Sequence, residues 1–103
     1  MITPGAFRVS ENTARNYWAA EQAFEQWRLD RRLRFPVGYD QVAAYLRQVL
    51  RERGPFAVRT HLSVIGRLYR QNGLPFDTKT PVIQTVVKAA RGRIRGVRER
   101  RNA

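Results

Sequence analysis

Apolar positions along the chain recur at helical steps, and glycine and proline divide them into four runs. Thr13, Tyr17, Ala20, Phe24 and Trp27 follow one another at four, three, four and three residues, one face of a first α-helix. Ser10 precedes this run as a candidate N-cap, with Thr13 instead of Glu or Gln three residues on, so the capping box is incomplete. The helix is expected to fade near Leu33, before Phe35-Pro36-Val37-Gly38, because Pro36 biases Phe35 away from helix. Asp40 is placed to cap a second helix whose inner face is Val42, Tyr45, Leu46, Val49 and Leu50. Gly54 suits the left-handed position after its end, and Pro55 suits the first position of the next helix.

The third run turns Val58, Leu62, Ile65, Leu68 and Tyr69 inward and stops at Gly73, ahead of Leu74-Pro75. Gly66 lies inside it, at a cost of about 1 kcal/mol relative to alanine, which a close neighbour would explain. Thr80-Pro81 reads as an N-cap followed by proline at the first helical position. Val82, Ile83, Val86, Val87 and Ala90 form the last apolar face, and Gly92 and Gly96 weaken any continuation. The expected organisation is a loose leader over 1–9, a helical domain over 10–92, and a basic tail or linker over 93–103, ordered only with a partner. The fold class is all-α, a compact four-helix bundle with a basic C-terminal tail. Trp18 sits off the first helix's main stripe and is expected to widen its core face, a partner contact being the alternative. Tyr17, Phe24, Trp27 and Tyr45 read as core.

Charge changes the picture most. The 103 residues carry 20 Lys+Arg against 8 Asp+Glu, a formal net charge of +12, and a field of that size concentrates polyanions at the surface. Eighteen of the 20 are arginine, whose planar fork pairs two-pronged with phosphate or guanine. From Lys79 to the end, Lys79, Lys88, Arg91, Arg93, Arg95, Arg98, Arg100 and Arg101 face a single acid, Glu99. Arg59, Ser63, Arg67 and Arg70 form one outward stripe on the third helix, with Thr60 beside it, and no acid occurs between Pro55 and Gly73. The major groove admits such a helix, where arginines reach guanine edges and hydroxyls reach bases or phosphates. The bland alternative is a solvated basic face.

The first helix offers Asn12, Thr13, Arg15 and Asn16 in its first two turns, where a helix N-terminus presents N–H groups to phosphate. Ordinary capping is the alternative there, and Glu11 would oppose a phosphate. Further along, Glu21, Glu25 and Asp30 beside Arg28, Arg31 and Arg32 read as intrahelical pairs. Lys88, Arg91, Arg93 and Arg95 complete the candidate contacts to DNA. His61 falls between the two faces of the third helix and is a candidate DNA-proximal side chain, although a lone histidine supports no catalytic role.

Other chemistry finds little footing. With no cysteine and one histidine, neither a disulfide framework nor a Cys/His zinc site can be built. No phosphate-cradling glycine loop, HExxH, or nucleophile elbow is present, so no cofactor, no small-molecule substrate and no catalytic residue are assigned. No apolar run approaches the roughly 20 residues of a membrane helix, so no membrane partner is assigned and a cytoplasmic, DNA-associated location is expected.

The segment Ser10-Glu11-Asn12-Thr13-Ala14-Arg15-Asn16-Tyr17, followed by Phe24 and Trp27, resembles the opening of the core-binding domain of tyrosine recombinases, the phage-integrase family. The resemblance continues in Val42-Ala43-Ala44-Tyr45-Leu46, in Ala57 through Tyr69, in Gly73-Leu74-Pro75, and from Pro81-Val82 to Gly92, covering roughly residues 10–95. Ala57 stands where the family often has threonine, and Tyr69 where it often has histidine. The resemblance implies a SAM-like bundle forming half of a clamp on double-stranded DNA, with helices matching the first and third approaching the major groove. It implies other recombinase subunits as further partners. The family's catalytic domain would follow this segment, and none of Tyr17, Tyr39, Tyr45 or Tyr69 matches the position of its nucleophile. A stand-alone helical protein-interaction module using Trp18 and the last helix, or a nonspecific nucleic-acid binder, is the rival expectation.

Overall fold

The structure, a computed structural model, describes the backbone over residues 11–102 and the side chains over 12–97. The Ser10 cap, the leader over 1–9, and the side chains of Arg98, Arg100 and Arg101 lie outside the described residues. Four helices fold into an all-α bundle: α1 (Glu11–Asp30), α2 (Tyr39–Arg53), α3 (Pro55–Gln71) and α4 (Pro81–Asn102). The third helix is central. It packs against α1, α2 and α4, and α2 also packs against α4. Phe24, Val42, Leu46, Val58, Ile65, Ile83 and Val86 are fully buried where these faces meet.

Helix ends explain the corners. Both α1 and α3 close in the same way, with a pair of backbone bonds reaching back over the last turn. Arg32 N–H donates to Leu29 O and Leu33 N–H to Arg28 O, each at 3.0 Å. Gly73 N–H donates to Arg70 O and Leu74 N–H to Tyr69 O, also at 3.0 Å. This closure needs a left-handed residue, supplied by Gly73 at φ 72° and by Arg32 at φ 55°. Leu33 and Leu74 then pack on the core, as the residue after a left-handed cap often does. The first helix therefore ends at Asp30, earlier than the fade expected near Leu33, and Arg28 Nη1 ties the turn down with a 2.8 Å bond to Leu33 O. Gly54, at φ 95°, is the sole residue between α2 and α3, and Pro55 opens α3.

Asp40 does not cap α2. The cap is Gly38, whose carbonyl accepts from Gln41 and Val42, and Tyr39 is already helical. Tyr39 is drawn in because its ring packs on Phe76 at 5.4 Å and its hydroxyl accepts from Asp77 N–H. Asp40 falls in the first turn, where a carboxylate favours the helix dipole. At the start of α4, Thr80 O accepts the first helical bonds while Thr80 Oγ1 donates to Asp77 O. Gly66 is buried, and the Phe76 ring passes so close that a Cβ there would stand 3.4 Å from it. Leu62 and Leu68 are half-buried, while His61 and Val64 take inward positions beside Val58 and Ile65.

The largest departure concerns α4. The sequence predicts a tail from Arg93, yet the helix runs through Gly92 and Gly96 to Asn102. Packing overrides the glycines: Val87, Ala90 and Ile94 continue the apolar seam at three and four residues, and Ile94 is only 8% exposed. Arg93 Nη1 also donates to Leu50 O, near the C-terminus of α2. Gly92 is exposed with nothing within 4 Å of where a Cβ would stand. Gly92→Ala is therefore expected to stabilise the domain by about 1 kcal/mol, raising the midpoint of thermal unfolding by about 4–8 °C. Thermal melts followed by circular dichroism check this; an unchanged or lower midpoint would contradict a helical Gly92.

Candidate nucleic-acid interface

Because α3 is held on three sides, its remaining face is a rigid platform. Arg59, Ser63, Arg67 and Arg70 are exposed along it and Thr60 is half-buried at its edge, as the stripe predicts. Their environments differ. Arg67 leans towards α1, its guanidinium 5.3 Å from the centre of the Tyr17 ring. The Arg70 guanidinium folds back over Gly66, its Nη1 3.1 Å from where a Cβ would stand. Arg59 and Ser63 face α4.

Between α3 and α4 lies a groove of about 460 Å³. Val58, Leu62, Val87, Ala90 and Ile94 line its floor, and Arg59, Ser63, Arg91 and Arg95 line its rim. Four candidates far apart in sequence thus converge, and no Asp or Glu lines the groove. Low competition from acids, and low-dielectric walls, strengthen the attraction of such a rim for anions. Lys88 is exposed on α4 one turn before Arg91, outside the groove lining. Arg93, two residues from Arg91 and Arg95, is exposed on another side of the helix and outside the groove lining, with its Nη1 also donating to the α2 carbonyl of Leu50 at 3.3 Å.

On the other flank of α3, Asn16 and Thr60 meet in a smaller hollow with Arg53, Phe56 and His61. Asn12 and Arg15 are exposed on α1 but line neither hollow; Thr13 is half-buried and engaged. Acids gather elsewhere. Asp30 and Glu52 line a hollow between α1 and α2 with Arg31 and Arg53, so that surface is mixed. The expected intrahelical pairing is present as Glu25–Arg28 at 2.6 Å, while Arg31 stacks over Trp27 at 4.4 Å.

Two exposed aromatics stand where sequence reasoning does not put them. Phe56 is 58% exposed, next to Arg53 and Thr60. Its spacing of seven from Ser63 and eleven from Arg67 puts it on the basic stripe, a signal present in the sequence. Trp18, expected to widen the core, is 65% exposed. On this helix Ala20 and Phe24 enter the core, whereas Tyr17, also expected there, is only half-buried beside Arg67.

His61 is a further correction. It is 5% exposed, and its Nδ1 shares a 2.8 Å hydrogen bond with the hydroxyl of Tyr45, so it is a structural group and not one that meets DNA. Burial, and then the Arg53 charge, push its pKa down to about 4. Burial pushes the Tyr45 phenol up to about 12. Well above pH 6.5 the imidazole is neutral in both folded and unfolded chains and contributes no pH dependence. As pH falls through 6.5, the unfolded chain takes up a proton that the folded one refuses until about pH 4, so stability falls across that window. Between pH 7 and pH 5 the loss is expected to be about 2 kcal/mol. Urea denaturation across this range tests it: wild type loses stability and His61→Gln holds level. Equal slopes would remove His61 as the source.

The tyrosines are all engaged in the fold. Tyr69 donates to Val37 O, Tyr39 accepts from Asp77 N–H, Tyr45 pairs with His61, and Tyr17 lies under Arg67. Among the described residues no helix is long and apolar enough to cross a membrane, and no three His, Asp or Glu side chains gather as a metal site would require. No family model matches the chain, and no curated protein matches it.

Proposed function

We propose that this chain is a DNA-binding module of the tyrosine site-specific recombinase or integrase type, associated with DNA in the cytoplasm. It grips double-stranded DNA with α3 towards the major groove and with α4 and the start of α1 on flanking phosphates. The observation that carries the reading is the convergence of Arg59, Ser63, Arg91 and Arg95 on one groove without an acid, on the flank of a helix held by three others. A rigid helix can keep an arginine fork in register with a base edge, which a solvated loop cannot. Strand cleavage is assigned to no side chain here. A phosphotyrosyl step needs an accessible phenol beside transition-state arginines, and the four tyrosines serve packing or hydrogen bonding instead. Other recombinase subunits are the further partners this reading brings with it.

The test separates reading from anchoring. A duplex site is selected from a random library, and variants are compared on it and on random duplex, with circular dichroism confirming the fold. Arg59→Ala and Arg67→Ala are each expected to cost about 1–3 kcal/mol on the selected site and to flatten preference at one position. Arg93→Ala is expected to leave discrimination intact, because Arg93 lies outside the groove on another side of α4. Discrimination lost in Arg93→Ala and kept in both stripe variants would invert these roles, and a library that yields no preferred site would leave only nonspecific binding.

A further inference from the structure

We infer that Phe56 selects a thymine in the duplex by burying that base's 5-methyl group in the hollow between α1 and α3. This role rests on α3 facing the major groove, as proposed above, and concerns which base the helix meets there. Phe56, Arg59, Ser63, Arg67 and Arg70 follow one another on α3 at steps of three, four, four and three, and all five are exposed. Phe56 is the apolar member of that face, and it is 58% exposed. A duplex laid along the stripe therefore meets the ring as well as the arginines. The ring's anchor is rigid. Gly54 alone links α2 to α3, Pro55 opens the helix, Ala57 packs on the core and Val58 lies within it.

An exposed phenylalanine by itself says little. Its surroundings say more. Phe56 shares a hollow of about 260 Å³ with Asn16, Ala19, Arg53 and Thr60, and no Asp or Glu lines it. Ala20 and His61 are already buried at its base, so Phe56 and Ala19 are its exposed apolar groups. The hollow is smaller than the roughly 300–1,000 Å³ of sites that enclose whole small molecules, and ample for a methyl group. In the major groove guanine shows N7 and O6, cytosine N4, adenine N7 and N6, and thymine O4 and its methyl. Each of these polar atoms would lose water against a phenyl ring without gaining a hydrogen bond. The methyl loses nothing there and gains burial. Asn16 and Thr60 border the hollow with hydrogen-bonding groups and Arg53 with a charge, so polar atoms that arrive beside the methyl meet partners of their own.

The test removes the methyl alone. A duplex site is selected from a random library, and each thymine is replaced in turn by deoxyuridine, which keeps the hydrogen-bonding edge. Binding of the full chain is followed by fluorescence anisotropy at fixed salt, with circular dichroism confirming the fold of each variant. At one thymine the replacement is expected to weaken binding about three- to fivefold, the worth of one buried methyl. In Phe56→Ala, an exposed position where the fold is retained, the same replacement is expected to change nothing. With cytosine at that position, 5-methylation is expected to strengthen binding by a similar factor in wild type and not in Phe56→Ala. A library that prefers no thymine, or a site where none responds to loss of its methyl, would overturn this role; the DNA reading then stands as long as salt-dependent duplex binding remains. A response undiminished in Phe56→Ala would assign the methyl to another side chain. Equal losses in Phe56→Ala on thymine and deoxyuridine duplexes, and larger ones on single strands, would make the ring a stacking platform for an unpaired base instead. A chain that binds no duplex removes both this role and the DNA reading.

Discussion

Affinity for duplex DNA is expected to fall about a thousandfold to ten-thousandfold between 50 and 200 mM monovalent salt. The described basic face presents Arg15, Arg59, Arg67, Arg70, Lys88, Arg91 and Arg95 as exposed cations. If roughly six to eight of these and their neighbours each neutralise one phosphate, the slope of log K against log salt is about −5 to −7. A fourfold rise in salt then gives the stated loss. The same charges, spread evenly over a sphere, would give a shallower dependence, because only those within reach of the backbone displace condensed counterions. Arg91→Ala with Arg95→Ala should reduce the slope by about two, one for each phosphate left without its arginine. Arg93→Ala should change it less, since that side chain lies on another side of α4 with one guanidinium nitrogen on Leu50 O. Anisotropy titrations at four or five salt concentrations measure the slope directly. A slope near zero would remove the DNA reading entirely, and an unchanged slope in the double variant would move the binding surface away from the groove.

Local chemistry makes most of the architecture legible. Gly54 and Gly73 stand at positive φ where helix ends call for them, Pro55 and Pro81 open their helices, the inward face of α2 is the predicted one, and so is that of α1 from Ala20 to Trp27, while Thr13 and Tyr17 are only half-buried. What cannot be read locally depends on neighbours from elsewhere in the chain. Helix α4 continues past two glycines because Ile94 has a core to enter and Arg93 has a carbonyl to reach, and neither partner is near in sequence. His61 sits at the border between two faces, and only the approach of Tyr45 from α2 decides for the inner one. The site is half legible. Periodicity finds the stripe on α3 and charge finds α4, yet their meeting across an aliphatic floor depends on how two helices pack. Composition suggests a tail trailing from the bundle; its first arginines instead face two sides of a helix, Arg95 to the groove beside Arg91 and Arg93 towards α2.

The two tryptophans sharpen the same contrast into a measurement. Both stand in α1, nine residues apart, and composition alone does not distinguish them. Trp27 is 6% exposed, with its ring 5.3 Å from Tyr45 and 6.3 Å from Phe24, and its Nε1–H donates to Gln48 Oε1. Trp27 thus joins α1 to α2 together with Phe24, whose ring lies 5.1 Å from Tyr45, and Arg31, which donates to Gln48 Oε1. Trp27→Ala is expected to cost about 3–5 kcal/mol through the lost burial and the cavity left behind. Against the roughly 5–15 kcal/mol typical of a domain, that is enough to bring the chain close to unfolding at room temperature. Trp18 is 65% exposed, and Trp18→Ala is expected to change stability by no more than about 0.5 kcal/mol. Urea denaturation followed by circular dichroism at a fixed pH above 7, where His61 contributes no slope, compares the two variants. Each retains one indole as a local probe. The fluorescence of Trp27→Ala, coming from Trp18 alone, should be that of a solvated indole before unfolding begins, whereas Trp18→Ala should emit at shorter wavelength and shift on unfolding. Comparable destabilisation by the two substitutions would mean that Trp18 is also packed and that the outer face of α1 is not the open surface described.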